Sequence, residues 1–311
     1  MPLHTGEINR VQSTYWFELV GRKLVKLATV QTGDGQTVAV IGDDERTAHA
    51  LVGEQSLLEL IENWDGVAEK LTQANDLPVI DEYRLLAPIP RPRRNIFAVG
   101  KNYREHVAEF GRSGYDTPSR SEELPDKPIV FSKATTTVTG PFDDIESHPE
   151  VTSELDYEAE LAVIIGRGGR AITEAEAMAH VWGYTIINDV TARDLQRDHK
   201  QWLLGKSLDT HGPMGPWAVT ADEAGDLSTL RVTSSVNGEP RQDALVADLI
   251  FSVPQLIATI SAGITLLPGD IIATGTPAGV GIGFEPPRFL KLGDVVECGI
   301  TRLGSIRNRI R

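Results

Sequence analysis

Four acidic residues alternate with other side chains in Glu154-Leu155-Asp156-Tyr157-Glu158-Ala159-Glu160-Leu161. Strand side chains alternate between faces, so Glu154, Asp156, Glu158 and Glu160 would line one face. A row of like charges repels itself and needs either water or a cation. A solvated outer face is the plain alternative. Against it, the run continues into Ala162-Val163-Ile164-Ile165, a continuous apolar segment of the kind covered on both faces. Carboxylates at the mouth of such a strand are costly to bury unless something neutralises them. Another carboxylate, Asp189, ends the apolar run Tyr184-Thr185-Ile186-Ile187-Asn188 and precedes a polar helix start, Thr191-Ala192-Arg193-Asp194. Three such carboxylates with open positions for water and substrate suit Mg²⁺ or Mn²⁺. Ca²⁺ takes more oxygen ligands, and Zn²⁺ would bring His or Cys. Two further pairs have helical spacing. His106 and Glu109, three apart, would share a helix face, where the Glu can orient the His and raise its basicity for general-base work. A solvated His–Glu pair is the commoner outcome of that spacing. Arg193 and Gln196, also three apart, follow Asp189, and their ordinary fate is likewise a solvated face.

These groups need a scaffold. Leu24-Val25-Lys26-Leu27 and Thr37-Val38-Ala39-Val40-Ile41 read as strands flanking a Gly33-Asp34-Gly35 turn. Residues 46–73 carry a helical pattern, with Leu57, Leu58, Leu60 and Ile61 on the apolar face. Ala87-Pro88-Ile89-Pro90-Arg91-Pro92 is a stiff, extended connector. It divides the chain into a small N-terminal α+β domain, 1–88, and a larger domain, 95–311. In the latter, strands such as Ile129-Val130-Phe131 alternate with Gly- and Pro-rich loops. Helices are predicted from Thr173, where Thr173-Glu174-Ala175-Glu176 fits a capping box, and over Val253–Ile264. Asn237-Gly238 marks a type I′ hairpin. The order is not that of a doubly wound sheet; it predicts a β-rich α+β fold. Gly166-Arg167-Gly168-Gly169 and Gly275–Gly283 match neither a dinucleotide nor a phosphate-loop fingerprint and read as loops. The polar, turn-rich segment Gly111–Pro128 is predicted to be a mobile lid.

The chain has 311 residues and a formal net charge of −14, which disfavours nucleic acid and anionic membrane surfaces as partners. A small anionic substrate remains compatible, because basic side chains or a metal reverse the field locally. The single cysteine, Cys298, lies in a strand-like run and is expected to be buried; no disulfide can form within the chain. The polar Met1–Arg10 segment lacks signal-peptide character, and no apolar stretch reaches membrane-spanning length. A cytoplasmic protein is expected.

Several short motifs in fixed order resemble the fumarylacetoacetate hydrolase family. They are Gly100-Lys101-Asn102-Tyr103 with His106; Asp156-Tyr157-Glu158-Ala159-Glu160-Leu161; and Asn188-Asp189-Val190-Thr191-Ala192-Arg193-Asp194 with Gln196. Gly205-Lys206-Ser207, Asn237-Gly238, Pro268-Gly269-Asp270 and Thr274-Gly275-Thr276-Pro277 complete the set. The resemblance implies a mixed β-sandwich roll, usually a homodimer, preceded by a small accessory domain. It implies metal ligands at Glu158, Glu160 and Asp189, which selects two of the four alternating acids. The implied metal is Mg²⁺, with Mn²⁺ or Ca²⁺ as alternatives. His106, Glu109 and Lys206 are implied as catalytic groups, and Arg193, Gln196, Lys133, Tyr103 and Thr276 as substrate-binding groups. The Lys101-Asn102-Tyr103 neighbourhood has no carboxylate, so the site resembles the three-carboxylate type that acts on acylpyruvates and other 2-oxo acids. The implied reaction is hydrolysis of a C–C bond in an acylpyruvate or β-diketo acid through a metal-stabilised enolate, in aromatic or sugar-acid catabolism. The alternative is a decarboxylase or isomerase acting on a 2-oxo diacid or hydroxymuconate-type diene at the same site. A binding protein that kept only the fold would have a broken ligand set, and this set is intact.

Overall fold

The computed structural model describes residues 26–51, 53–54, 56–64, 71, 77–113 and 124–311. Across the large sheet the strands run Val79–Ile80, Ala48–Ala50, Gly35–Ile41, Lys26–Thr32, Gly212–Thr220, Val181–Asn188, Ala159–Ile165, Ile271–Ala273, Ile96–Gly100 and Ile129–Lys133. Neighbours pair antiparallel except Ile271–Ala273 with Ile96–Gly100. A four-stranded antiparallel sheet, ordered Glu239–Leu245, Arg231–Val236, Val295–Ile300 and Gly304–Arg309, packs against it.

The apolar run 161–165 is buried on both faces, as its composition predicts. Leu161, Val163 and Ile165 pack with Val232, Ile300 and Ile306 of the smaller sheet. Ala162 and Ile164 point the other way, into a second cluster with Leu57, Leu60 and Ile61. Cys298 is fully buried in the first cluster, where burial pushes its thiol pKa above the usual range. The strands before the proline connector continue the same sheet: Lys26 pairs with Val219 and Leu27 with Ala218. The Thr29 hydroxyl donates to Pro88 O at 2.7 Å, tying the connector to the sheet.

The helical pattern over 46–73 is realised only in part. Ala48–Ala50 is a strand paired with Ala39–Ile41, because the Asp44 carboxylate accepts from the Arg46 and Thr47 amides and turns the chain back. The helix described there is Leu57–Glu62; residues 65–70 and 72–76 lie outside the described residues. The helix at Thr173 is a single turn, Glu174–Ala177, in which the Thr173 hydroxyl donates to Glu176 Oε2 at 2.7 Å. The later helix spans Val253–Ser261, and the Ser252 amide donates to Gln255 Oε1 at 2.8 Å. Asn237 and Gly238, at φ 53° and 80°, form the expected tight hairpin. Most of the predicted lid, residues 114–123, lies outside the described residues, as does the Leu24-Val25 part of the first predicted strand.

Candidate active site

The pairing of Ala159–Ile165 with Val181–Asn188 sets Ala159 opposite Asn188 and Glu160 opposite Ile187. The ends of two buried strands are thereby brought together, and Asp189 follows directly. Glu158 sits in a break between two strand segments. The first, Leu155–Asp156, pairs with Thr191–Ala192; the second begins at Ala159. The Glu158 amide donates to Asn188 Oδ1 at 2.9 Å, and the Asp189 amide donates to Glu158 O at 2.8 Å. Glu160 Oε2 accepts from the Gly275 amide at 2.8 Å. Glu158, Glu160 and Asp189 are all buried, and one carboxylate oxygen of each lies within 4.8 Å of the others.

The other two alternating acids are elsewhere. Asp156 Oδ1 accepts from the amides of Tyr157 at 2.9 Å and Gly281 at 2.6 Å; Oδ2 accepts from Ile282 N at 3.1 Å and Arg193 Nε at 2.9 Å. A Cβ on Gly281 would lie 2.6 Å from Asp156 Oδ1, so the glycine lets backbone close on that carboxylate. Glu154 pairs with Arg197 at 3.2 Å. The break at Tyr157–Glu158 interrupts the two-residue period, so four acids on one face resolve into two in the triad and two that anchor neighbouring chain.

Three cations surround the triad. Lys206 Nζ donates to Glu158 Oε2 at 2.7 Å and to Asp189 Oδ2 at 2.8 Å. Arg193 Nη2 lies 2.6 Å from Glu158 Oε1, and Lys133 Nζ lies 2.6 Å from Asp189 Oδ1. Burial alone would raise the Glu158 pKa, but Lys206, Arg193 and His106 outweigh it and hold the pKa below the ordinary value. Glu160 goes the other way: burial, Asp189 and Glu158 push it well above the ordinary value. Burial would strip the proton from Lys206, but Asp189 and Glu158 outweigh it and keep the amine charged. Oxygen donors that repel one another when ionised fit a divalent cation, which would neutralise them together.

Glu158 and Glu160 open into a cleft, and fully buried Asp189 lies behind them. Glu158, Glu160, His106, Arg193, Gln196, Lys206 and Thr276 all line it. His106 Nδ1 lies 3.2 Å from Glu109 Oε2, and the other Glu109 oxygen accepts from the Gly279 amide at 3.0 Å. Both residues lie on the Arg104–Ser113 helix, as their spacing predicts. A Cβ on Gly283 would lie 2.5 Å from Glu109 Cγ, so that glycine makes room for the carboxylate. Arg193 Nη1 donates to Gln196 Oε1 at 3.1 Å and orients the amide.

The structure places three of the expected substrate contacts differently. Lys133 is fully buried and does not line the cleft; its amine is engaged by Asp189, Val190 O at 3.3 Å and Lys206 O. Its amine holds Asp189. Tyr103 is buried behind the lining, where burial, Glu160 and Asp248 push its hydroxyl pKa up. Thr276 lines the cleft, but its hydroxyl donates to Ala159 O at 3.1 Å and accepts from Gln242 Nε2 at 2.6 Å. Sequence reasoning missed Gln242, Phe131 and Trp202. Gln242 sits beyond a hairpin with no spacing signal, Phe131 lies within a predicted strand, and no motif marks Trp202.

The family model "Fumarylacetoacetate (FAA) hydrolase C-terminal" matches residues 95–311. The chain belongs to the fumarylacetoacetate hydrolase family. It is 44% identical over 308 residues to a Bacillus subtilis protein named oxaloacetate tautomerase YisK, covering 92% of this chain and 100% of that one. It is 42% identical over 262 residues to a Bos taurus protein named mitochondrial oxaloacetate tautomerase FAHD2A, covering 82% of this chain and 80% of that one. Among solved structures, a fumarylacetoacetate hydrolase from Exiguobacterium antarcticum superposes with a TM-score of 0.80 at 40% identity, covering 92% of this chain and 99% of that chain. The strand-rich α+β architecture is that of the family. No helix among the described residues is long and apolar enough to cross a membrane.

Proposed function

We propose that the protein is a Mg²⁺-dependent tautomerase that interconverts the keto and enol forms of oxaloacetate, a short 2-oxo dicarboxylate. The observation that carries this reading is a proton-transfer pair, His106–Glu109, whose imidazole shares one cleft with Glu158 and Glu160 of the carboxylate triad. The names of the two relatives support the choice of substrate. Tautomerisation moves one proton between C3 and the keto oxygen and needs no covalent intermediate. The cleft suits that economy. The one hydroxyl among its described lining residues, on Thr276, is committed to Ala159 and Gln242, and the Lys206 amine keeps its proton.

Glu158, Glu160 and Asp189 are the residues that would hold the cation. When bound there, Mg²⁺ supplies Lewis-acid polarisation of the keto oxygen and favours the enolate. His106 takes the proton from C3 and the imidazolium gives it to the keto oxygen, the reverse order restoring the ketone. Glu109 fixes the ring and offsets the charge that the imidazole gains. Arg193 and Lys206 place positive charge beside the oxygen on which negative charge develops, and Gln196 is aligned by Arg193. The C–C hydrolysis expected from the sequence is the second reading. It is favoured by the name of the Exiguobacterium neighbour and by the ability of a His–Glu pair to activate water.

Following the ultraviolet absorbance of enol-oxaloacetate with Mg²⁺ or a chelator, alongside product mass, separates the two readings. The tautomerase reading expects faster equilibration with Mg²⁺ and no change in mass. Cleavage of an acylpyruvate with no effect on oxaloacetate equilibration would sink it.

A further inference from the structure

We propose that Trp202, seated by Gly100 and Phe131, sets the chain length of the 2-oxo acid that this cleft accepts and restricts it to short dicarboxylates. The inference rests on the reading that the cleft binds 2-oxo acids, but not on which reaction follows.

Trp202, Phe131 and Gly100 all line the cleft. Gly100 ends the Ile96–Gly100 strand, and a Cβ added there would lie 2.8 Å from Trp202 Cη2 and nearer still to Cζ3. The benzo edge of the indole therefore rests against bare backbone, and any side chain at 100 displaces the ring. Phe131 fixes the other side: its ring meets Trp202 edge-on, with centroids 5.2 Å apart at 73°. The Lys206 amine lies 5.3 Å from the Phe131 centroid and bonds to Glu158 and Asp189. The aromatic wall thus begins one side chain away from the triad. The Lys206 amide also donates to Trp202 O at 3.0 Å, so wall and lysine belong to one turn.

In this proposal an acid anchored at the triad has its tail directed toward this wall, whose residues line the same cleft. Two aromatic rings backed by a strand end yield less than a loop would. The limit on length is thus steric, and each extra methylene must displace packed atoms. Trp202 itself is partly exposed, and Leu203 and Leu204 beside it are 44% and 50% exposed. The segment forms the rim of the cleft, so the indole can be truncated without opening the core.

Two substitutions perturb the wall differently. Trp202→Ala removes it, while Gly100→Ala displaces the ring from the strand end. The test is calorimetric binding of oxaloacetate, 2-oxoglutarate and 2-oxoadipate to the full chain with Mg²⁺, and kcat/KM where turnover occurs. Wild type should lose about tenfold or more in affinity per added methylene, the discrimination typical of a packed pocket. Trp202→Ala should flatten or invert that series, Trp202→Phe should fall between, and Gly100→Ala, which moves the ring, should change its steepness. Equal losses for all three acids in Trp202→Ala, with unchanged thermal unfolding, would overturn the proposal. So would an unaltered series in Gly100→Ala, or no binding of any member to wild type. Absence of oxaloacetate turnover with the length series intact would instead refute only the tautomerase reading.

Discussion

Replacing Glu160 by Gln separates what the acidic cluster costs from what it is for. Burial, Asp189 and Glu158 all push the Glu160 pKa well above its ordinary 4.5. In the metal-free protein the folded state therefore keeps a proton that the unfolded chain releases once pH passes that ordinary value. The stability tied to this proton is intact below the ordinary value and is lost as pH rises toward the folded-state pKa. Each pH unit within that window costs about 1.4 kcal/mol, so an assay at about pH 7.5 bears at most roughly 4 kcal/mol. Gln fills the same space, keeps an oxygen for the Gly275 amide and cannot ionise, so it removes the cost. For 311 residues, at about 2 cal/mol/K of unfolding entropy per residue, roughly 4 kcal/mol corresponds to about 6 °C in Tm. Glu160→Gln is therefore expected to raise Tm in EDTA by up to about 6 °C at about pH 7.5, with the gain vanishing toward about pH 5. Mg²⁺ should close this gap. Wild type gains about 2.7 kcal/mol at 100-fold excess over Kd and about 4.1 kcal/mol at 1,000-fold. The variant has lost a ligand and gains little, so the ranking reverses only beyond roughly 1,000-fold excess. Scanning calorimetry across pH, with EDTA or Mg²⁺, reads both effects. A variant less stable than wild type in EDTA at about pH 7.5, or a gain that does not change with pH, would refute the reasoning.

His106→Asn should lower kcat for oxaloacetate tautomerisation about 10²–10⁴-fold with KM little changed, as steady-state kinetics would measure. Gly283→Ala, whose Cβ would crowd the Glu109 carboxylate, should lower kcat about as much as Glu109→Gln does. The double variant should be no worse than either single one, because both act through the same contact. Lys133→Met leaves Asp189 without its 2.6 Å partner. Lys206 still bonds the other Asp189 oxygen, so in EDTA the loss should be about 1.5–3 kcal/mol in denaturant titrations, the worth of one hydrogen bond to a charged group, and less with Mg²⁺.

The parts of the fold legible in the sequence are those set by local rules. The run 161–165 announces a doubly covered strand, and it is one. Asn237-Gly238 announces a hairpin because two consecutive positive φ angles need such residues. The leucine pattern near residue 57 is a helix only where a Ser56 cap starts it; nine residues earlier, pairing with Ala39–Ile41 overrides helical spacing. Nothing local reveals that Lys26–Thr32 pairs with Gly212–Thr220, about two hundred residues away, so a proline-rich connector reads as a boundary although the sheet runs past it.

The site divides in the same way. Ligand-type residues are visible locally, and their order along the chain is specific. Their surroundings are not visible. Asp156 and Glu158 have equal claims by periodicity; the strand break between them, with Arg193 and the Gly281 and Ile282 amides of a distant loop bonding to Asp156, takes Asp156 out of the row. Lys133 has the charge to hold a substrate carboxylate, yet the fold spends that charge on Asp189. The distinction matters for the chemistry. Asp156 and Glu158 share Arg193, Glu158 and Asp189 share Lys206, and Asp189 also has Lys133. Among these four acids Glu160 is the one with no ion pair among the described residues, and its pKa rises accordingly. The fold thus supplies cations for three of the four carboxylates and leaves the fourth to be neutralised by a proton or by a metal. This imbalance, assembled from separate elements of the chain, is what equips the triad to hold a cation and distinguishes it from a fully paired salt-bridge network.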